Sequence, residues 1–130
     1  MGTHVANIIA IVMAFLILIA SFIIPHALID DLYFDGTSML EAMEEAVKAG
    51  DTESAIDIAK TVYDLIEKRM KSLRIFVDQD TILELEAKAV ATIIFAEQKN
   101  VDLLLGAIHE LKSDIEALNE QENPTFATIL

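Results

Sequence analysis

Three histidines and one short acidic run are the residues of this chain best suited to chemistry. His4 and His26 lie at either end of a long apolar stretch, too far apart to hold one metal ion unless the chain folds back. His109 stands beside Glu110, but no spacing places it in HExxH or in the Glu-x-x-His pair by which helical bundles bind two irons. Asp78-Gln79-Asp80 begins like a calcium loop. Ile82 then falls where a ligand is needed and Ala89 where the bidentate glutamate belongs, so the run reads as helix punctuation. Without cysteine there is neither a disulfide nor a thiolate ligand, and four glycines supply no phosphate-cradling loop. No GxSxG is present, and no serine has a base in a recognisable context. The expectation is a non-enzymatic protein with no catalytic residue, no metal and no cofactor.

Charge is more informative. Lys68, Arg69, Lys71 and Arg74 are four of the nine basic residues, gathered at the end of one apparent helix. The simpler reading is compensation of the helix dipole and of neighbouring acids. The sharper reading is a patch for lipid headgroups or an acidic partner. Against nine basic side chains stand 22 acidic ones, a net charge of −13, which excludes nucleic-acid binding through an overall basic surface. Yet 54% of the 130 residues are hydrophobic. Position reconciles the two: residues 1–29 hold no Asp, Glu, Lys or Arg, so every such charge lies from Asp30 onward.

From Val5 to Ile24 only Asn7 and Ser21 interrupt a strongly apolar run, with no Pro or Gly inside it. As a helix it is about 30 Å long, the thickness of a bilayer's hydrocarbon core. Val5, Ile8, Ile11, Phe15, Leu18, Phe22 and Ile24 mark a span with no polar stripe of the kind a soluble core helix shows. A cleaved signal peptide fits less well, because the run is long, lacks basic residues before it, and has a poor cleavage site at Ile23-Ile24-Pro25-His26-Ala27. No Lys or Arg flanks the span closely, Lys48 being the nearest beyond it. The acidic flank of Asp30, Asp31 and Asp35 favours an extracytoplasmic domain on a single-pass protein of the bacterial cell membrane.

The remainder has helical periodicity throughout. Pro25 is expected to end or bend the span, residues 1–29 forming the anchor and 30–37 a linker. Gly36-Thr37-Ser38 marks a new start, with Ser38 and Glu41 at capping-box spacing. That helix should stop at Ala49-Gly50, and Asp51 or Thr52 should cap the next. Ala55, Ile58, Ala59, Val62, Leu65, Ile66, Met70, Leu73 and Phe76 recur at threes and fours, allowing one helix from Thr52 to Val77. A third helix, capped by Asp80, carries Ile82, Leu85, Ala89, Ile93 and Ala96, with Leu83, Val90 and Ile94 widening its apolar face. It should end near Lys99-Asn100 and, as the most apolar of the set, sit in the middle. The fourth carries Leu104, Ile108, Leu111, Ile115 and Leu118. Short connections make successive helices antiparallel. The fold class is thus all-α: one transmembrane helix, then a small antiparallel bundle of about four helices over residues 38–123. An apolar tail at 124–130 would dock through Phe126, Ile129 and Leu130.

Ala55, Ile56, Ala59, Val62 and Ile66 are echoed 49 residues later by Leu104, Leu105, Ile108, Leu111 and Ile115. Any two amphipathic helices can produce such an echo, and the signature residues of tetratricopeptide repeats are missing.

Ser72-Leu73-Arg74-Ile75-Phe76-Val77-Asp78-Gln79-Asp80 resembles the Leu-Phe-Ile-Asp-His-(Asp/Glu)-like stretch of a domain-of-unknown-function family of small membrane-anchored helical proteins from endospore-forming Firmicutes. The ending Glu122-Asn123-Pro124-Thr125-Phe126-Ala127-Thr128-Ile129-Leu130 is similar to the family's Phe-Thr-containing terminus closing in Ile-(Leu/Phe). The anchor and four-helix layout agree along almost the full length. This chain departs in having no Trp before the first motif and Gln79 where the family has His. The resemblance implies no activity, cofactor or catalytic residue. Family members are often encoded beside a multi-pass membrane protein, which implies a membrane partner.

Two functions follow as expectations. The first is an accessory subunit whose acidic helical domain binds a multi-pass membrane protein. Asn7 and Ser21 would hydrogen-bond within the membrane; the basic cluster, the surface around Ile82 and Leu83, and the tail would be docking sites. The second is a structural homo-oligomer, a ring or filament, assembled through Ala6, Ala10 and Ala14 on one face of the span. A third, weaker reading is a protein that perturbs membranes.

Overall fold

The computed structural model describes residues 2–121. Four helices follow in order: α1 (Gly2–Lys48), α2 (Thr52–Leu73), α3 (Gln79–Glu97) and α4 (Val101–Gln121). The expected Phe126, Ile129 and Leu130 docking site lies outside the described residues.

α1 is unbroken for 47 residues, about 70 Å at the usual rise per residue. The apolar segment therefore runs directly into the bundle, and residues 30–37 are helical rather than a linker. Pro25 does not end the helix; it lies inside it and is buried. Ser38 caps nothing, because no helix begins there, and Glu41 stands within α1 rather than in a first turn. Helices are costly to nucleate but cheap to extend, so a Gly-Thr-Ser triplet downstream of an established helix need not break it. Gly36 also has a packing role. A Cβ placed there would sit 3.3 Å from Ile115 Cδ1 and 3.9 Å from Leu32 Cδ1, so Ile115 of α4 fills the space a side chain would take.

The α1–α2 turn forms as its residues dictate. Gly50 takes φ 78°, and Asp51 N–H donates to the Ala46 carbonyl at 2.9 Å while Gly50 N–H donates to that of Val47 at 3.1 Å, closing a Schellman motif. Asp51 then caps α2, accepting from Ser54 N–H at 3.2 Å and Ser54 Oγ at 2.7 Å. The Ser54 hydroxyl and N–H together hold the Asp51 carboxyl below its usual range. The α3–α4 turn repeats this design with Lys99 at φ 56°, Asn100 N–H donating to Phe95 at 3.0 Å, and Asn100 Oδ1 accepting from Leu103 N–H at 3.3 Å. α2 stops at Leu73, short of the expected Val77, and the residue before α3 is Asp78 rather than Asp80, with no hydrogen bond from its side chain to the helix.

α1 packs on α2 and α4, α3 packs on the same two, and among the described residues the backbones of diagonal helices do not come close. The bundle is therefore an up-down-up-down ring, in which the C-terminal half of α1 is the first of the four helices. α3 occupies one corner, not the middle. Counted outward from the Gly50 turn, buried positions match in pairs: Val47 with Ala55, Met43 with Ala59, Leu40 with Val62, Gly36 with Ile66, Leu32 with Met70, Ile29 with Leu73. Ala96 with Leu104, Thr92 with Ile108, Ala89 with Leu111, Leu85 with Ile115 and Ile82 with Leu118 match likewise about the second turn. Small residues oppose large ones in several layers, which lets facing helices interdigitate. Thr92, the buried polar residue among these, donates its hydroxyl to the Ala89 carbonyl at 2.6 Å. It takes the core position expected of Ile93, which is half-buried.

The echo noted in the sequence extends across both hairpins. Gly36, Leu40, Met43, Val47, Gly50, Asp51, Ala55, Ala59, Val62 and Ile66 lie 49 residues before Leu85, Ala89, Thr92, Ala96, Lys99, Asn100, Leu104, Ile108, Leu111 and Ile115, each pair in the same structural role. The bundle is two equivalent hairpins joined at the α2–α3 connection.

Candidate interaction surfaces

Polar side chains tie α4 to its neighbours. Lys112 Nζ meets Glu41 Oε1 at 3.1 Å, and His109 Nε2 lies 3.8 Å from Glu44 Oε1. Lys88 joins Asp114 across α3 and α4 and Glu84 at 3.4 Å on its own helix. The hydrogen bond to Asp114 raises the Lys88 ammonium above its usual range, and that to Glu41 raises Lys112. Lys48, 3.1 Å from Glu44, holds that carboxyl below its usual range. These contacts are structural. Among the described residues no group of three His, Asp or Glu side chains is placed to hold a metal ion.

The predicted span is bare. Val5, Ile8, Ile11, Phe15, Leu18, Phe22 and Ile24 are all exposed, as are Asn7, Ala10, Ala14 and Ser21. α1 is long and apolar enough to cross a membrane. Ser21 donates its hydroxyl to the Ile17 carbonyl at 2.7 Å, so its proton is already engaged and only its oxygen can accept from a neighbour. Asn7, Ala14 and Ser21 recur every seven residues. At about 100° per residue they lie on the side of α1 that, from Pro25 onward, faces the bundle core.

Sequence reasoning placed Leu83, Val90 and Ile94 at the margin of the core; they are instead outside it, 53%, 39% and 45% exposed. With exposed Ala87 they form an outward stripe at intervals of four, three and four. Ile82, named with Leu83 as a docking residue, is buried. Beside the stripe, Phe95, Leu103, Gly106 and Ala107 line a shallow groove between α3 and α4, flanked by Lys88 and Glu110. α3 thus has two apolar faces. The high apolar content that predicts a central position is instead divided between an inner and an outer face.

The basic cluster is also displayed. Lys68, Lys71 and Arg74 are exposed and Arg69 is half-buried. Among the described residues none of the four forms an ion pair, although Asp64 and Glu67 precede Lys68 and Lys71 by four residues and flank them in the same shallow depression. Arg69 Nε is buried without a hydrogen-bond partner. Compared with known protein families, curated proteins and solved structures, the chain matches none.

Proposed function

We propose that this protein is a non-enzymatic, single-pass accessory subunit of a bacterial cell membrane, whose acidic helical domain binds and supports a multi-pass membrane protein. The observation that carries this reading is the outer stripe of Leu83, Ala87, Val90 and Ile94, an apolar helix face left uncovered on a bundle rich in acids. Heptad-like spacing suits it to one partner helix. In the membrane, Asn7, Ala14 and Ser21 offer a second contact line of the small and polar type by which spans associate. Both surfaces belong to one continuous body, so a partner with a membrane part and a protruding part can engage both. The resemblance to the membrane-anchored family, with its multi-pass neighbour, supports the same choice, and the acidic flank of the span supports an extracytoplasmic bundle. No cofactor is required.

A structural homo-oligomer is the second reading. The spacing of the α3 stripe, and of Ala6, Ala10 and Ala14, suits a second copy as well as a foreign helix. Photo-crosslinkers at Asn7 and Val90, with Lys60 as control, separate the two in native membranes. Capture of one multi-pass protein from both Asn7 and Val90 supports the accessory subunit. Self-crosslinks alone favour the homo-oligomer, and no crosslink from either site refutes both.

A further inference from the structure

The mirror matching of α1 and α2 fixes where the α2–α3 connection lies relative to the span. Val77 falls level with Pro25, and Ile75 and Arg74 fall level with Ala27 and Leu28, three and four residues beyond Ile24. At about 1.5 Å per residue this is about 5 Å past the apolar run, within a headgroup layer about 5–8 Å deep. Lys71 is level with Asp31, about 10 Å out, near enough for its side chain to snorkel down; Lys68 stands higher. The unpaired basic residues, remote from the span in the chain, are therefore beside it in space. Ile75 at this corner is 90% exposed, the most exposed large apolar side chain among the described residues. A bare isoleucine beside Arg74 and Lys71, which form no ion pair among the described residues, suits the surface of an anionic bilayer. Asp30, Asp31, Asp78, Asp80 and Glu120 lie elsewhere at this end, so the match is confined to the α2 corner.

We infer that the α2–α3 corner is a lipid footing, in which Ile75 enters the headgroup layer and Arg74 and Lys71 bind the phosphates of anionic lipid. This rests on the membrane-spanning reading of α1. The bundle then stands on the bilayer at two points, the span and the corner.

The chain has no cysteine, so Ile75→Cys, Leu18→Cys and Glu53→Cys each give the full-length protein one labelling site. An environment-sensitive fluorophore is attached at each in nanodiscs of phosphatidylcholine, with or without phosphatidylglycerol, carrying quenchers on headgroups or acyl chains. The expected result is acyl-chain quenching at Leu18, headgroup quenching at Ile75 that strengthens with phosphatidylglycerol, and none at Glu53. Lys71→Gln and Arg74→Gln should each lower the docked-to-undocked ratio about fivefold in the anionic discs. An unquenched Leu18 label overturns the span, and the footing with it. A quenched Leu18 with Ile75 as aqueous as Glu53 overturns the footing alone and leaves the cluster to an acidic protein. Ile75 quenching indifferent to phosphatidylglycerol and to both substitutions overturns the assignment of Lys71 and Arg74 to phosphate.

Discussion

Gly36 and Ile115 offer the sharpest test of the packing. Gly36→Ala removes the helix-interior penalty of glycine, a gain of about 1 kcal/mol. The new methyl, however, lies 3.3 Å from Ile115 Cδ1, inside the roughly 3.5–4.0 Å of a relaxed carbon contact. Crowding of this kind costs about 1 kcal/mol or more, so the single substitution should be close to neutral. Ile115→Val deletes the crowding methyl and alone should cost about 1 kcal/mol for the cavity it leaves. In the double variant the alanine methyl occupies part of that cavity and meets no clash. Ile115→Val should then cost nothing, giving a coupling of about 1 kcal/mol in favour of the pair. Gly36→Leu should cost about 3 kcal/mol and not be rescued by Ile115→Val. Urea unfolding of the full-length protein in mild detergent, followed by far-UV circular dichroism, reads all four against the constant background of the span. Additivity within about 0.3 kcal/mol would refute the close approach of α1 and α4 at Gly36.

The two matched turns predict opposite effects. Lys99→Gly should stabilise by about 1 kcal/mol and Gly50→Ala destabilise by a similar amount, because both positions have positive φ; thermal melts check the signs. Lys88 has a raised folded-state pKa, so its contribution is complete below the usual value of 10.5 and is lost as pH rises through the folded value. Lys88→Met should therefore flatten part of the alkaline loss in a stability–pH profile, leaving the part due to Lys112. Deleting residues 2–24 should release a soluble folded bundle, whereas deleting 2–29 also removes Ile29 and should cost about 2–5 kcal/mol more by urea titration.

Much of the bundle was legible. The core positions of α2 and α4 follow their periodicity, and Gly50 with Asp51 marks a turn that forms as its chemistry requires. The junction was misread because Pro25 and Gly36-Thr37-Ser38 are breaker types by local propensity, while tertiary packing buries Pro25 and sets Ile115 closely against Gly36. α3 was misread for a different reason. Apolar residues on both sides of a helix give no phase, so Leu83, Val90 and Ile94 could not be told from core until the ring of four fixed which side faced inward. A lipid-binding reading of the basic cluster was open from its charge, but the proposed footing was not, since it needs α2 folded back until Arg74 and Ile75 reach the level of Leu28 and Ala27 on α1.

An unbroken α1 also gives its apolar N-terminal segment and the bundle one rotational reference. Each residue inserted or removed between Ile24 and Ile29 would turn the whole domain by about 100° about the shaft and move it about 1.5 Å along. The outer stripe of α3 would swing away from whatever Asn7 and Ser21 engage, and the Ile75 corner would lift or sink at the lipid surface. A tether would absorb such a change. A rigid shaft converts it into a different heading, so under the accessory-subunit reading the number of residues between Ile24 and the bundle would itself be part of the binding specification.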